Sequence, residues 1–145
     1  MLILEDLLYT EEDLWVKVEG GNLAEIGLSD FGQERLGRID SLDLPDEGDE
    51  LARADECGAI QHPKGMESLY APLTGKILEV NAALLEDPGL IGEDPYERGW
   101  ILRMEFIQPE ELQELMSPDA YAEFVEEQRM ESEDELEEDV EDYDE

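Results

Sequence analysis

Glycine and proline punctuate this chain so closely from Gly20 to Pro118 that a long helix has no room to form between them. Glycine loses the most backbone freedom on ordering, and proline lacks the N–H that a helix or sheet ladder needs, so each one tends to end an element. What fits between them is short strands and single helical turns. Repeated strand–helix units of the Rossmann or TIM kind do not fit.

The runs between these punctuation points alternate in the manner of half-buried strands. Trp15 to Glu19 alternates large and polar residues, Gly20-Gly21-Asn22 supplies turn chemistry, and Leu23 to Leu28 follows, so 15–28 reads as a hairpin. Ser29 is a good N-cap for a short helix over Asp30 to Leu36, which Gly37 can terminate. Ile39 to Leu44 alternates again before the turn Pro45-Asp46-Glu47-Gly48-Asp49. Further strands are expected at Cys57 to Gln61, Met66 to Tyr70 and Gly75 to Val80, with a helical turn over Asn81 to Leu85. Trp100 to Phe106 forms a last strand, placing Trp100, Leu102, Met104 and Phe106 on one face. The period then changes: Pro109, Leu112, Leu115 and Met116 suggest one helix, and Tyr121, Phe124 and Val125 a second over 118–128. The expected fold is mostly β, a sandwich or small barrel closed by a small helical cap at about 109–128.

Charge divides the chain further. The 145 residues carry 43 Asp and Glu against 9 Lys and Arg, a formal net charge of −34. From Glu131 to Glu145, 11 of 15 residues are acidic with no Lys or Arg. Such a block repels itself and has little apolar surface to offset its ordering entropy, so a domain over 1–130 and a disordered acidic tail over 131–145 are expected. The body alone still carries −23, which suits a solubility surface, a high-salt habitat or a basic partner. A field this negative repels phosphate backbones and anionic lipid heads, so neither nucleic acid nor a membrane surface is an expected partner. Met1 to Asp6 has neither the basic flank nor the apolar core of a signal peptide, and the expected location is the cytoplasm.

Catalytic signatures are absent: the chain has no G-x-S-x-G, P-loop, C-x-x-C or H-E-x-x-H. Its one cysteine, Cys57, permits no internal disulfide and reads as a small buried thiol, with redox chemistry as the alternative. Its one histidine, His62, makes a His-rich metal site impossible within one chain, and no EF-hand spacing appears, so no metal is expected. The informative stretch is His62-Pro63-Lys64-Gly65. Proline presets the second position of a β-turn and glycine favours the fourth, so Lys64 is expected at the tip of a tight hairpin. Only Lys17, Lys64 and Lys76 carry amines on side chains. Taken alone, Lys64 is either an ordinary exposed turn lysine or an attachment site, and His62 is either a solvated turn residue or a neighbour that tunes such a site.

Longer stretches carry a resemblance. Tyr9-Thr10-Glu11-Glu12-Asp13-Leu14-Trp15-Val16-Lys17-Val18-Glu19-Gly20, Ile26 to Gly37, Leu44-Pro45-Asp46-Glu47-Gly48-Asp49, Tyr70-Ala71-Pro72-Leu73-Thr74-Gly75-Lys76-Ile77, Val80-Asn81, Leu84-Leu85 and Asp94-Pro95-Tyr96-Glu97-Arg98-Gly99-Trp100 follow one another in order and spacing. In this the chain resembles the H-protein family of the glycine cleavage system, lipoyl carriers of the biotinyl/lipoyl attachment superfamily. The resemblance covers about Leu8 to Phe124. It implies a barrel-sandwich hybrid fold and a monomeric, non-catalytic carrier. It also implies lipoate joined covalently to Lys64, the position from which Ala71-Pro72 follow at the family's distance. Gly48 and Gly75 fall where the family's framing glycines stand. His62, Pro63 and Gly65 replace the serine, apolar residue and alanine around the family's lysine, and Gln61 replaces a glutamate associated with recognition by lipoate-attaching enzymes. The histidine of the family's H-E-W sequence is also missing, with Asp13 and Leu14 before Trp15.

The implied function is to shuttle an aminomethyl intermediate on a lipoyl-lysine arm. The implied partners are glycine decarboxylase, aminomethyltransferase, dihydrolipoyl dehydrogenase and a lipoate-attaching enzyme. Two alternatives stay open at this level: a divergent lipoate carrier or relay in another pathway such as sulfur oxidation, and an unmodified acidic interaction protein that keeps the fold.

Overall fold

The computed structural model describes residues 3–128; the segment expected to form an acidic tail lies outside them. Nine strands form two antiparallel sheets. They are β1 (Leu8–Tyr9), β2 (Leu14–Gly20), β3 (Leu23–Leu28), β4 (Ser41–Asp43), β5 (Glu50–Leu51), β6 (Glu56–His62), β7 (Gly65–Tyr70), β8 (Gly75–Val80) and β9 (Leu102–Phe106). The larger sheet has the order β1-β2-β3-β9-β8-β5 and the smaller β4-β6-β7. The fold is the expected mostly-β sandwich, and the two sheets are not closed into a barrel. Leu14, Val16, Ile26, Met104 and Phe106 of the larger sheet share one core with Leu42, Cys57, Ile60 and Leu69 of the smaller.

The first hairpin forms as its alternation dictates, with Trp15 opposite Gly27 and Val16 opposite Ile26. Helix α1 (Asp30–Leu36) follows at once. The Ser29 hydroxyl accepts from the Gly32 N–H, a cap worth about 1 kcal/mol, and Gly37 ends the helix at φ 75°. A second apolar cluster is separate from this core: Leu7, Tyr9 of β1, Trp15 of β2, Tyr121 and Val125 are all buried in it. Tyr9 and Tyr121 stack with ring centroids 4.3 Å apart, and the Trp15 indole N–H donates to the Pro95 carbonyl at 2.9 Å. This cluster fastens the C-terminal helix, residues 118–128, to the first hairpin.

Three sequence expectations need correction. The strand expected from Trp100 starts at Leu102, because the Trp100 N–H bonds back to Glu97 in the preceding loop. Trp100 is therefore half-buried against the second cluster, under the Arg103 guanidinium at 4.3 Å, and does not share the core face of Leu102, Met104 and Phe106. The helix expected from Pro109 is a short 3-10 helix, Pro109–Glu114. It stops because Met116 exchanges two backbone hydrogen bonds with Tyr9, which draws Leu115 and Met116 into extended backbone. The strand expected over Ile39 to Leu44 pairs only at Ser41–Asp43. Two short helices, α2 (Ala83–Glu86) and α3 (Leu90–Glu93), lie in the β8–β9 connection.

Candidate functional site

The tip of the β6–β7 hairpin presents the one lysine that stands on a turn; Lys17 and Lys76 lie within strands. Residues pair in register down both strands: Ala59 with Ser68, Ile60 with Glu67, Gln61 with Met66, and His62 with Gly65. Pro63 and Lys64 form the two-residue turn. The usual two-residue hairpin turns need positive φ at their first central residue, which proline forbids. Lys64 does not have positive φ either, so the turn is not of the primed types that match the strand twist. Gly65 at φ 142° absorbs the mismatch, a conformation that a side chain would oppose. The Pro-Lys-Gly order therefore encodes the shape of the tip.

Lys64 is exposed, as are Pro63, Gly65 and Met66. None of the ion pairs among the described residues involves Lys64, although the chain holds 43 carboxylates. The other two lysines stand mid-strand opposite carboxylate residues: Lys17 faces Glu25, and Lys76 lies between Glu50 and Glu105.

The neighbours of Lys64 are set into the small sheet. Gln61 is exposed, its side-chain oxygen 3.3 Å from the Ser41 hydroxyl, which donates to it. The backbone carbonyl of Gln61 accepts from Asp40 at 2.8 Å. His62 is half-buried, and its Nδ1 is buried without a hydrogen-bond partner. Gly48 and Gly75 do not belong to the turn. Both stand at the larger sheet: Gly48, in the turn before β5, donates its N–H to the Ile77 carbonyl of β8 at 2.7 Å, and Gly75 starts β8 opposite Leu51 and Phe106.

Cys57 lies at the far end of β6, facing the core. Burial pushes its thiol up to about 11. At pH 8 the thiolate fraction is then about a hundredfold below that of an unperturbed cysteine. Iodoacetamide is expected to leave Cys57 unmodified in the folded chain over an hour and to label it fully in denaturant. Rapid labelling without denaturant would contradict this burial.

A polar network that the sequence does not announce reaches the hairpin from the side. Asp13, at φ 68°, is buried between elements. Its carboxylate accepts from the Tyr121 hydroxyl at 2.9 Å and from Arg35 Nε at 3.2 Å. Burial raises its pKa, and Tyr121 and Arg35 oppose that rise. A second Arg35 nitrogen donates to Glu67 on β7 at 3.1 Å. These contacts join residues far apart in sequence, so no local spacing could reveal them. Among the described residues no group of three or more His, Cys, Asp or Glu side chains is arranged to hold a metal ion, and no helix is long and apolar enough to cross a membrane.

The family described as Glycine cleavage H-protein matches residues 7–128. The chain is 42% identical over 127 residues to the glycine cleavage system H protein of Carboxydothermus hydrogenoformans, covering 88% of this chain and 97% of that protein. It is 43% identical over 121 residues to the corresponding Listeria monocytogenes protein, covering 83% and 96%. The crystal structure of a glycine cleavage system H protein from Mycobacterium marinum superposes with a TM-score of 0.72 at 25% identity, covering 87% of this chain and 98% of that one.

Proposed function

The chain belongs to the glycine cleavage H-protein family, lipoyl carriers that are not themselves enzymes, and from this we propose that Lys64 is the residue on which it carries its lipoyl group. The observation that supports this most is the placement of Lys64: an exposed amine at a two-residue hairpin turn, whereas Lys17 and Lys76, equally exposed and equally outside the ion pairs of the described residues, stand within strands. An attachment lysine needs that combination. Its amine must be free to enter another enzyme's active site, and its Cα must be held so that the arm swings from a fixed base.

Attachment joins Lys64 Nζ to the acyl carbon of an activated lipoyl donor. Nζ sheds its proton and attacks, the bond to the donor's leaving group breaks, and an uncharged amide remains. Lipoate, once attached, supplies a dithiolane that can be reduced, loaded and reoxidised. The chain's own residues hold the base of the arm. Pro63 fixes the turn, Gly65 relieves its twist, and the β6–β7 ladder resists bending. A tethered arm also raises the effective concentration of its cargo at each enzyme it visits. The partners on this reading are glycine decarboxylase, aminomethyltransferase, dihydrolipoyl dehydrogenase and a lipoate-attaching enzyme, each meeting an acidic body. The test is a glycine–bicarbonate exchange assay with purified partner enzymes: chain that has been through a lipoylation reaction supports exchange, and chain kept without lipoate does not. Equal exchange by both would refute the proposal.

The residues beside the lysine bear on which enzyme modifies it. Gln61 is exposed next to the turn, where the family pattern has a glutamate. Gln61→Glu is expected to speed lipoylation by a standard ligase about five- to tenfold, the difference between a charge-assisted hydrogen bond and the neutral one that glutamine can make, about 1 kcal/mol. An unchanged rate, followed by intact mass over time, would remove Gln61 from the account.

A further inference from the structure

We infer that Arg35 is a positioning residue for Lys64, tying the hairpin tip to the body of the protein through Glu67; this rests on Lys64 being the attachment site. The directions of the hydrogen bonds can be followed along the network. The Gly32 N–H donates to the Ser29 hydroxyl oxygen at 3.1 Å. Ser29 Oγ lies 2.6 Å from the Tyr121 hydroxyl, and Tyr121 gives its one proton to Asp13. Ser29 must therefore donate to Tyr121. The Asp13 carboxylate then receives from Tyr121 on one side and Arg35 on the other, and Arg35 ends the chain on Glu67. One polarised run thus joins the α1 N-cap, the C-terminal helix, the β1–β2 loop and the lysine hairpin.

The position of Glu67 gives the run its consequence. Cross-strand partners share a face, and the partner of Glu67 is Ile60, fully buried in the core. Glu67 is therefore on the inward side of β7, which is the edge strand of its sheet. The next inward pair toward the tip is His62 and Gly65. Gly65 has no side chain and His62 Nδ1 has no hydrogen-bond partner. Among the described residues, the Arg35–Glu67 pair is the one side-chain hydrogen bond or ion pair from residues 61–68 to an element outside their own sheet. Apolar anchoring ends at Ile60, and this pair holds the outer edge where that anchoring stops.

Two variants test the role in the full chain. Glu67→Gln removes the hairpin end and leaves the Arg35–Asp13 pair in place. Arg35→Met removes the centre. In both, backbone order parameters at the Lys64 and Gly65 amides are expected to fall from about 0.85 to below about 0.7, while those of β2 and β3 hold. In both, kcat/KM for lipoylation is expected to fall about two- to fivefold, the measure of one half-exposed ion pair, with the change in KM. The double variant is expected to lose no more than either single one, because both break one unit. Unchanged order parameters and an unchanged KM in Glu67→Gln would overturn the inference, as would losses that multiply in the double variant. If the parent chain takes no lipoate on Lys64, the site assignment fails by itself, and the order parameters still judge the tie.

Discussion

Replacing Lys64 by arginine should abolish carrier activity and leave the fold untouched. Lys64 is exposed, makes no ion pair among the described residues, and follows a proline that sets the turn whatever side chain comes next. Surface changes of this kind usually alter stability by less than about 0.5 kcal/mol. Arginine keeps the charge, but its guanidinium is never deprotonated in a protein and so offers no nucleophile for amide formation. Glycine–bicarbonate exchange is expected at background, with a melting temperature within about 2 °C of the parent. Exchange that survives in Lys64→Arg would move the arm to Lys17 or Lys76. Neither has the geometry: each sits mid-strand opposite glutamate, where a partner's active site would have to close over a flat sheet.

The largest stability effect is expected at Gly75. A Cβ there would run into the Glu105 carbonyl oxygen and lie 2.8 Å from the Phe106 Cα, both backbone atoms of the neighbouring strand. A side chain can rotate away from such a clash, but a paired strand cannot. Gly75→Ala must push β8 from β9 where Phe106 enters the core, and the cost is expected at the upper end for overpacking, about 3 kcal/mol. For a chain of this size that is a fall of about 10 °C in melting temperature. Gly48 is the control. A Cβ there meets nothing within 4 Å, and only its φ of 93° opposes a side chain, at about 1 kcal/mol. Thermal unfolding of the two variants separates the cases, and similar small losses from both would contradict the close approach at Gly75. Gly75 thus lets β8 lie close against β9 in the larger sheet.

Local chemistry made much of this legible before any coordinates. The first hairpin, the Ser29 cap, the Gly37 stop and the Pro63-Lys64 turn each depend on residues within a few positions of one another, and each formed where the pattern put it. What the pattern missed depends on distant partners. β1 and β5 have two residues each, too few to show a period, and exist because β2 and β8 accept them. Leu112, Leu115 and Met116 have helical spacing, yet Tyr9 claims Met116. The Asp13–Arg35–Glu67 run was beyond reach for the same reason. Asp13 takes a positive φ that its residue type does not demand, and its partners Arg35 and Tyr121 come from α1 and the C-terminal helix, with Glu67 joined only through Arg35. In a chain with 43 carboxylates, no single Asp or Glu could be picked out in advance.

The acidity itself leaves a simple mark on the site. Ion pairs engage Arg35, Arg38, Arg98 and Arg103 among the described residues, while the tip lysine, like Lys17, Arg53 and Lys76, stays outside them. Amide formation would remove even that positive charge and make the tip neutral against a strongly negative body.

Peptide mass mapping of the chain isolated from cells that make lipoate tests the central claim most directly. The account predicts a lipoyl-sized increment on the peptide that contains Lys64 and none on those that contain Lys17 or Lys76. Chain that is wholly unmodified, or modified at either other lysine, would contradict it.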